Sequence, residues 1–516
     1  MELNYKRTLY VGFAFFLICT FWQVYDSIIP KILTDKFGMS QVWSGVIMAF
    51  DNVLAVFLLP VFGAYSDKKN TKLGRRTPFI LVGTIIATIT FVALSFADNM
   101  QLASISDISD VTVTDSGEYD ASLERLYESD VKFMSDNSPD EKKTDLKSIY
   151  PSFEDFKSAA RDGKAGSDII SARQAYAWRK TIEKPEILIF FMILLLAVLL
   201  SMSTFRSPAV ALMPDVTPKP LRSKANAVIN LMGSAGGILV LVLGVVFGTG
   251  KTENTLMSYT VFFMVTAGIM LTALLIFMLT VREPKWALEA ENINRVIDVQ
   301  ESSGEEQNES KRGLSKSEKR SLIFILSSVV LWYMGYNAVT SKYSVYAGDV
   351  LGLDYNLTLI VAQAAAIVSY IPVGIVSQKI GRKKTILAGV IMLCASFGCA
   401  SFLRSGSNIW FMNALFALAG IGWATINVNS YPMAVELSKS GDTGKYTGFY
   451  YTASMSAQIF TPILSGVFLT YIGMTSLFPY ATAFVALAFI TMLFVRHGDS
   501  KPVKKDLLDH LDVEDD

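Results

Sequence analysis

The chain has 516 residues, of which 51% are hydrophobic and only 18% are charged, well below the roughly 25% charged residues of soluble globular domains. Its 46 basic and 46 acidic residues balance, so the charge does not point to a nucleic acid partner. The three cysteines lie in apolar blocks and the two histidines near the C-terminal end, which argues against a disulfide framework, a metal site, a cofactor and histidine-based catalysis.

The apolar residues occur in blocks of about 20, long enough for a helix to cross the hydrocarbon core of a bilayer. We therefore predict an all-α membrane protein. The first block is long and lacks a small-residue cleavage site, which indicates a retained helix rather than a signal peptide. The twelve predicted transmembrane helices lie near residues 9–29, 42–65, 78–97, 187–207, 225–248, 258–281, 321–341, 356–377, 385–403, 409–430, 446–470 and 475–496.

Basic residues concentrate in the loops that follow the second, fourth and eighth predicted helices. Because short cytoplasmic loops are enriched in Lys and Arg, these loops share the cytoplasmic side and both termini are predicted to lie there. The basic residues are Lys68, Lys69, Lys72, Arg75 and Arg76 in the first loop, Lys219, Arg222 and Lys224 in the second, and Lys379, Arg382, Lys383 and Lys384 in the third.

Polar segments divide the chain into domains. We predict an N-terminal six-helix bundle in residues 1–281, a cytoplasmic linker in 282–320, a C-terminal bundle in 321–496 and a cytoplasmic tail in 497–516. A further acidic segment, 98–186, falls between the third and fourth helices on the outer side. Two alternatives stay open for this segment. Its scattered aromatic residues are compatible with a small helical domain, whereas its polarity is compatible with a disordered loop. It is assigned no function.

One short signature occurs twice, each time between two long apolar segments. The first copy runs from Gly63 through Asp67 to Gly74-Arg75-Arg76, and the second from Gly374 through Gln378 to Gly381-Arg382-Lys383. This pattern resembles the loop between helices 2 and 3 of major facilitator transporters and its counterpart between helices 8 and 9. The resemblance implies two pseudo-symmetric six-helix bundles with a substrate path between them.

Two longer stretches resemble a narrower group, the glycoside–pentoside–hexuronide:cation symporters and the sucrose transporters. They are Ser66-Asp67-Lys68 with Leu73-Gly74-Arg75-Arg76-Thr77-Pro78-Phe79, and Ser207-Pro208-Ala209 to Asp215 with Arg222 to Ala227. The resemblance implies cation-coupled sugar transport. The coupling residues do not carry over, because Met202, Val210, Ala55 and Leu59 stand where those relatives have charged residues. The coupling ion, H⁺ or Na⁺, therefore stays open.

Three ionisable residues interrupt the apolar helices: Asp26, Asp51 and Arg206. A charge at bilayer depth costs several kcal/mol unless it is paired or hydrated, so such residues are candidates for function. Two carboxylates and one guanidinium leave one net negative charge, which suits a cation site beside a polar substrate. Two alternatives stay open: Asp26 lies near the outer surface in water, or Asp51 and Arg206 form a purely structural pair.

Amide and aromatic side chains complete the predicted substrate site. Gln23 shares a helix face with Asp26, and Trp423 lies on the same predicted helix as Asn427. Amides can bond sugar hydroxyls and aromatic rings can stack on the apolar face of a sugar. Interfacial anchoring and helix packing are the alternatives. The other candidates for this site are Asn52, Asn230, Trp332, Tyr336 and Asn337.

A second group of residues is predicted to hold an inner gate. Asp67, with Arg75 and Arg76 nearby, could dock onto a helix of the other bundle, and Asp215 and Glu436 could pair with the basic loops. Setting topology and capping helices are the alternatives. The predicted gating residues are Gly63, Asp67, Arg75, Arg76, Asp215, Arg382 and Glu436.

The sequence thus predicts a monomeric multi-pass transporter of the plasma membrane that imports a sugar or glycoside with a cation, most simply a proton, by alternating access. A proton-coupled exporter or antiporter of another small solute is the main alternative. A membrane receptor or an enzyme is a remote one, since the chain lacks a nucleotide-binding loop and a nucleophile–base arrangement.

Overall fold

The computed structural model describes residues 3–69, 71–108, 116–134, 143–218, 221–251, 254–302, 315–435, 437 and 443–497. In these residues the protein is all-helical, with two isolated β-bridges and no strand. The α-helices are α1 Tyr5–Lys31, α2 Gln41–Lys68, α3 Thr77–Ser104, α4 Ser116–Glu128, α5 Leu146–Ile149, α6 Phe153–Arg161, α7 Gly166–Glu183, α8 Pro185–Val216, α9 Arg222–Phe247, α10 Thr260–Thr280, α11 Glu283–Ser302, α12 Lys316–Tyr346, α13 Tyr355–Ile380, α14 Arg382–Ala400, α15 Ile409–Val435, α16 Thr443–Tyr471 and α17 Leu477–Leu493.

The twelve predicted membrane helices are present as α1–α3, α8–α10 and α12–α17. Eleven stretches of the described chain are long and apolar enough to cross a bilayer, and α13 contributes a shorter apolar stretch, Tyr355–Tyr370. The predicted all-α membrane fold is therefore confirmed. Several helices extend a turn or more beyond their predicted ends; α3, for example, continues to Ser104, whereas its apolar block ends at residue 97.

The ends of α1 and α12 repeat one local structure. Each helix widens into a five-residue π-helix, Ile32–Lys36 after α1 and Ala347–Leu351 after α12, and each π-helix contains an aspartate, Asp35 or Asp349. A glycine in the left-handed conformation follows three residues after each aspartate, Gly38 at φ 66° and Gly352 at φ 63°. Only glycine adopts this conformation without strain, so it ends both helices sharply.

The chain forms two compact units. The first consists of Met1–Gln307 together with Ser341–Leu357, and the second of Asn308–Thr340 together with Thr358–Asp516. The sequence-based division, which placed all of 321–496 in one bundle, differs at this point. One contact that ties this end of α12 to the first unit is the 2.9 Å hydrogen bond that the buried Lys342 ammonium donates to the Gln41 carbonyl oxygen.

Part of the segment 98–186 forms a small helical domain with its own apolar core, which decides between the two alternatives left open by the sequence. Helices α4–α7 pack around Leu123, Phe133 and Phe156, all at most 4% exposed. Burial and a hydrogen bond to Asp107 raise the pKa of the Tyr176 hydroxyl to about 12, so this residue stays a neutral donor at physiological pH. Helix α7 also packs against the π-helix after α1, which anchors the domain to the first unit.

Candidate substrate, coupling and gating sites

Helices α1, α2 and α8 bring the three charged residues of the first unit together. Asp26, Asp51 and Arg206 lie close enough to interact electrostatically. Asp51 is only 8% exposed. Trp22 and Cys19 lie one and two turns before Asp26 on the same face of α1, and the Arg206 guanidinium stacks over the Trp22 ring at 5.0 Å from its centroid. The three charges thus form a cluster, although they are separated by up to 180 residues in sequence.

Neutral polar groups complete this cluster. The Asn52 amide donates a 2.7 Å hydrogen bond to the Asp51 carboxylate. The buried Tyr25 hydroxyl interacts electrostatically with Asp26 and Asp51 and has no hydrogen-bond partner among the described residues. Gln23 lies on the same helix, but its amide donates to the Ser27 hydroxyl at 2.9 Å. The cluster therefore offers two carboxylates and an unused hydroxyl.

The chemistry of this arrangement favours cation binding. With both carboxylates ionised, the cluster carries one net negative charge. Within the described part of the chain, no ion pair of 4.0 Å or less joins Arg206 to either aspartate. Both carboxylates consequently keep lone pairs for a proton, a cation or a substrate hydroxyl. A buried negative charge without a direct ion pair is costly, and binding a cation relieves that cost.

The second unit carries an aromatic cluster instead of charges. Tyr336 on α12 stacks on Trp423 of α15, with ring centroids 3.7 Å apart and an interplanar angle of 3°. Tyr333 meets the same indole edge-on at 5.1 Å. Trp332, predicted to share a binding face with Tyr336, is fully buried in the helix packing of this unit. Trp423 is thus the centre of the cluster.

Hydrogen bonds surround these rings. Tyr370 bonds to Asn427, and Tyr333 bonds to Tyr450. The Tyr450 and Ser430 hydroxyls are 2.8 Å apart. The amide nitrogen of Asn337 is buried and has no hydrogen-bond partner in the described residues. This unit therefore combines flat apolar faces with hydroxyl and amide groups, the two kinds of surface that recognise a sugar ring.

Asn230 lies apart from these clusters in the contacts that the structure shows. Its side chain is exposed on α9 and donates a 2.8 Å hydrogen bond to the Asn226 carbonyl oxygen, one turn earlier in the same helix. The predicted role of Asn230 in substrate binding remains a prediction.

The first copy of the duplicated loop is built around Arg76, which is 6% exposed. Its guanidinium forms an ion pair with Asp215 at the end of α8 (Nε–Oδ2, 2.8 Å) and contacts Asp67 and Ser66 at the end of α2. Near the same helix end, α2 and α8 approach closely, since a Cβ atom at Gly63 would lie 2.9 Å from the Ser207 hydroxyl. Arg76 thus joins three helices of one unit.

Arg75 plays a different part from Arg76. Its side chain is exposed, and its backbone N–H donates a 2.6 Å hydrogen bond to Glu283. All described partners of Asp67 and Arg76 belong to the first unit, so docking of this loop onto the other bundle stays a prediction.

Glu283, at the start of α11, is a residue that the sequence analysis missed. Its carboxylate is 2% exposed and accepts hydrogen bonds from the backbone N–H groups of Arg75, Arg76 and Thr77 and from the Thr77 hydroxyl, at 2.6 to 3.1 Å. It therefore caps the N-terminus of α3 from outside that helix. A sequence signal for it was available: an acidic residue directly follows the sixth predicted helix, on the side predicted to carry the basic loops.

We expect Glu283→Gln to destabilise the folded protein by on the order of 2 kcal/mol, because hydrogen bonds to a charged acceptor are lost and α3 keeps unsatisfied donors. The measurement is the melting temperature of the purified protein in detergent. Glu289→Gln on the same helix is the matched control. Glu289 pairs with Arg7 at 2.5 Å, but both side chains are about 40% exposed, so its loss should cost about 0.5 kcal/mol or less. Equal melting temperatures for both variants would contradict the capping role.

The second copy of the loop is bonded differently. Lys383, at the position that corresponds to Arg76, donates to the Leu493 and Val495 carbonyl oxygens at 2.9 and 2.6 Å. Arg382 is half-buried. Ser377 donates a hydrogen bond to Asn429. Glu436 lies outside the described residues. The two copies thus share a sequence pattern and differ in the described partners of their basic residues.

Residues 184–371 and 355–510 match the family model described as Major Facilitator Superfamily, and residues 10–110 match that of the MFS/sugar transport proteins. These matches cover most of the chain. The chain belongs to the major facilitator superfamily. The predicted family, fold and non-enzymatic transporter class are therefore confirmed, and the chain is a multi-pass membrane protein of this type.

Solved structures of other transporters share the fold. A D-xylose–proton symporter superposes with a TM-score of 0.59 at 14% identity, covering 96% of this chain and 99% of that one. The inward-open xylose transporter XylE from E. coli gives 0.57 at 14% identity, covering 98% of both chains. A point mutant of the nucleoside transporter NupG gives 0.55 at 10% identity, covering 96% of this chain and all of that one.

Curated relatives match over shorter stretches. An uncharacterized MFS-type transporter from Methanocaldococcus jannaschii is 25% identical over 190 residues, which are 36% of this chain and 46% of that relative. A multi-drug resistance efflux pump PmrA homolog from Lactococcus lactis is 26% identical over 132 residues, 26% of this chain and 32% of the relative. The chain thus spans less than half the length of these two curated relatives.

Proposed function

We propose that this superfamily member imports a sugar or glycoside together with a proton by alternating access, as a monomer in the plasma membrane with both termini in the cytoplasm. The observation that carries the proposal is the Asp26–Asp51–Arg206 cluster of the first unit, where carboxylates without a direct ion pair among the described contacts lie in an apolar environment. Such a cluster is suited to bind and release one cation per cycle.

The aromatic cluster of the second unit supports a sugar as the substrate. Tyr336 and Trp423 provide flat apolar faces, and Asn427 and Tyr450 provide hydrogen-bonding groups around them. The match of residues 10–110 to sugar transport proteins agrees with this substrate class. Na⁺ in place of H⁺ is an alternative, because a carboxylate site can take either ion.

Uptake of labelled glycosides into proteoliposomes tests the proposal. We expect accumulation when a proton gradient is imposed, and none when the gradient is collapsed by an ionophore. A parallel series with a sodium gradient at constant pH identifies the ion. If no glycoside responds to either gradient, sugar symport is wrong.

A second candidate function is proton-coupled export of another small solute. It is favoured by the stretch that is 26% identical to the multi-drug resistance efflux pump homolog. The two functions differ in the direction of coupling. When the medium outside preloaded proteoliposomes is acidified, protons entering through an antiporter should drive the solute out, whereas protons entering through a symporter should hold the solute inside.

A further inference from the structure

A second group of buried charges lies at the far ends of α1 and α12, away from the clusters described above. We call it the outer charge cluster, and it consists of Lys31, Asp35, Arg173 and Asp349. Lys31, Asp35 and Arg173 are at most 3% exposed. All four residues belong to the first compact unit. In the proposed topology, with the basic loops in the cytoplasm, this end of the unit lies outside the cell.

The cluster joins three distant segments of the chain. Asp35 lies in the π-helix after α1, Asp349 in the corresponding π-helix after α12, and Arg173 on α7 of the small inserted domain. Arg173 interacts electrostatically with both aspartates. The neighbouring Gln174 donates to the Asp35 carboxylate at 3.4 Å and also bonds to Asp349. The inserted domain therefore bridges the two repeated helix ends.

Arg173 is bound in an unusual way. Its Nε and Nη1 groups are buried and have no hydrogen-bond partner among the described residues. Electrostatic attraction to the aspartates, rather than directional hydrogen bonds from these two groups, therefore holds the guanidinium in place. Separating it from either aspartate would leave a buried charge, which is costly unless water enters. Such a contact suits a closed state that opens into water.

The two sides of α7 are attached with unequal strength. Towards α1, the backbone of α7 packs directly on Gly38, where a Cβ atom would lie 2.1 Å from the Gln174 carbonyl oxygen. The Thr181 hydroxyl also donates a 3.0 Å hydrogen bond to the Phe37 carbonyl oxygen. Towards α12, the described side-chain contacts are the electrostatic interaction of Arg173 with Asp349 and the hydrogen bond of Gln174 to the same aspartate. The contact with α12 is therefore the one that can open.

The segment Ser341–Leu357 buries apolar side chains such as Val345 and Leu351, and it also makes further polar contacts. Lys31 donates to the Thr249 carbonyl oxygen at 3.0 Å and lies over the Tyr355 ring. The Thr249 hydroxyl bonds to Tyr355 at 3.0 Å and to Asn356 at 3.2 Å. Thr249 is fully buried beneath these residues. Water can replace polar contacts of this kind when they separate, at little net cost.

From these contacts we infer that the inserted domain is a working part of the outer gate: Arg173 holds the outer end of α12 against α1, and this contact breaks when the path opens outwards. Arg173 is a positioning residue and does not touch the substrate. The inference rests on the proposed transport by alternating access, but its first test needs no substrate, so the two can fail separately.

The first test measures the exposure of Thr249. In purified protein in nanodiscs, the Thr249→Cys variant is labelled with a polar maleimide, and labelling of the parent chain with its three native cysteines is subtracted. We expect Arg173→Gln to raise the labelling rate at least threefold. Arg179→Gln on the same helix is the control, because Arg179 is half-exposed and its described bonds lie within the inserted domain. Equal rates in the two variants would overturn the inference.

The second test cross-links α7 to the outer end of α12. Gln174→Cys with Asp349→Cys is oxidised or cross-linked with a short thiol reagent, and uptake into proteoliposomes is measured before and after reduction. We expect at least a tenfold loss of uptake that the reductant restores, which also shows that the protein is folded. Asp120→Cys with Lys157→Cys replaces an ion pair inside the inserted domain and should not affect uptake when cross-linked. Undiminished uptake with the 174–349 cross-link in place would overturn the inference.

Discussion

Asp51→Asn is expected to abolish gradient-driven accumulation of the substrate while leaving substrate exchange intact. Asparagine has nearly the same shape as aspartate, and its oxygen can still accept the 2.7 Å hydrogen bond from Asn52. It cannot bind and release a proton. Since one pH unit supplies about 1.4 kcal/mol, or about a tenfold concentration ratio, the ratio of internal to external substrate should fall from about ten towards one under such a gradient.

The measurement combines two assays on the same proteoliposomes: accumulation under a pH gradient, and counterflow of labelled against unlabelled substrate without one. Asp162→Asn is the matched control, because Asp162 lies on the inserted domain, is about half-exposed and pairs only with Lys164 in the described contacts. Accumulation that survives Asp51→Asn would exclude Asp51 as the coupling residue and direct attention to Asp26, the other carboxylate of the cluster.

Trp423→Ala should weaken substrate binding more than any other single change in the second unit. The substitution removes the ring on which Tyr336 stacks and which Tyr333 meets edge-on. Aromatic stacking contributes about 0.5 to 1.5 kcal/mol beyond the area that it buries. We therefore expect KM for the transported sugar to rise about tenfold or more, with a smaller change in the maximal rate, because the ring contributes to binding in every state of the cycle.

Trp423→Phe keeps an aromatic face and should recover part of the affinity. Trp410→Ala is the control, since Trp410 lies in the first turn of α15 and is 77% exposed. The melting temperature of each variant in detergent separates a binding effect from a folding defect. An unchanged KM in a stable Trp423→Ala variant would mean that the aromatic cluster packs the helices and does not contact the sugar.

Much of the fold could be predicted from the sequence because its determinants are local. A block of about 20 apolar residues must form a helix in a bilayer, where each backbone polar group needs an internal partner. The prediction was less complete where burial depends on distant residues. The segment 98–186 is polar on average, yet Phe133, Phe156 and Leu123 meet in one core, and the sequence could not show that they meet.

The candidate site residues likewise divide into those that local sequence reveals and those that depend on distant partners. Asp26, Asp51 and Arg206 could be found because a charge in an apolar helix is conspicuous. Glu283 and Arg173 were missed, since each lies in a polar segment where charged residues are common. Their roles arise from partners more than 100 residues away: Glu283 bonds to Thr77 and its neighbours, and Arg173 interacts with Asp35 and Asp349.

By itself, the sequence determined the number and type of the membrane helices, the duplicated loop and the residues with chemistry to offer. Periodicity, composition and motif spacing are properties of neighbouring residues and can be read along the chain. Only the tertiary structure decided which of those residues act together. It pairs Arg76 with Asp215, gathers Asp26, Asp51 and Arg206, and brings Arg173 to the ends of α1 and α12. The physical reason is that electrostatic and packing energies depend on distance in space, which the order of residues does not specify.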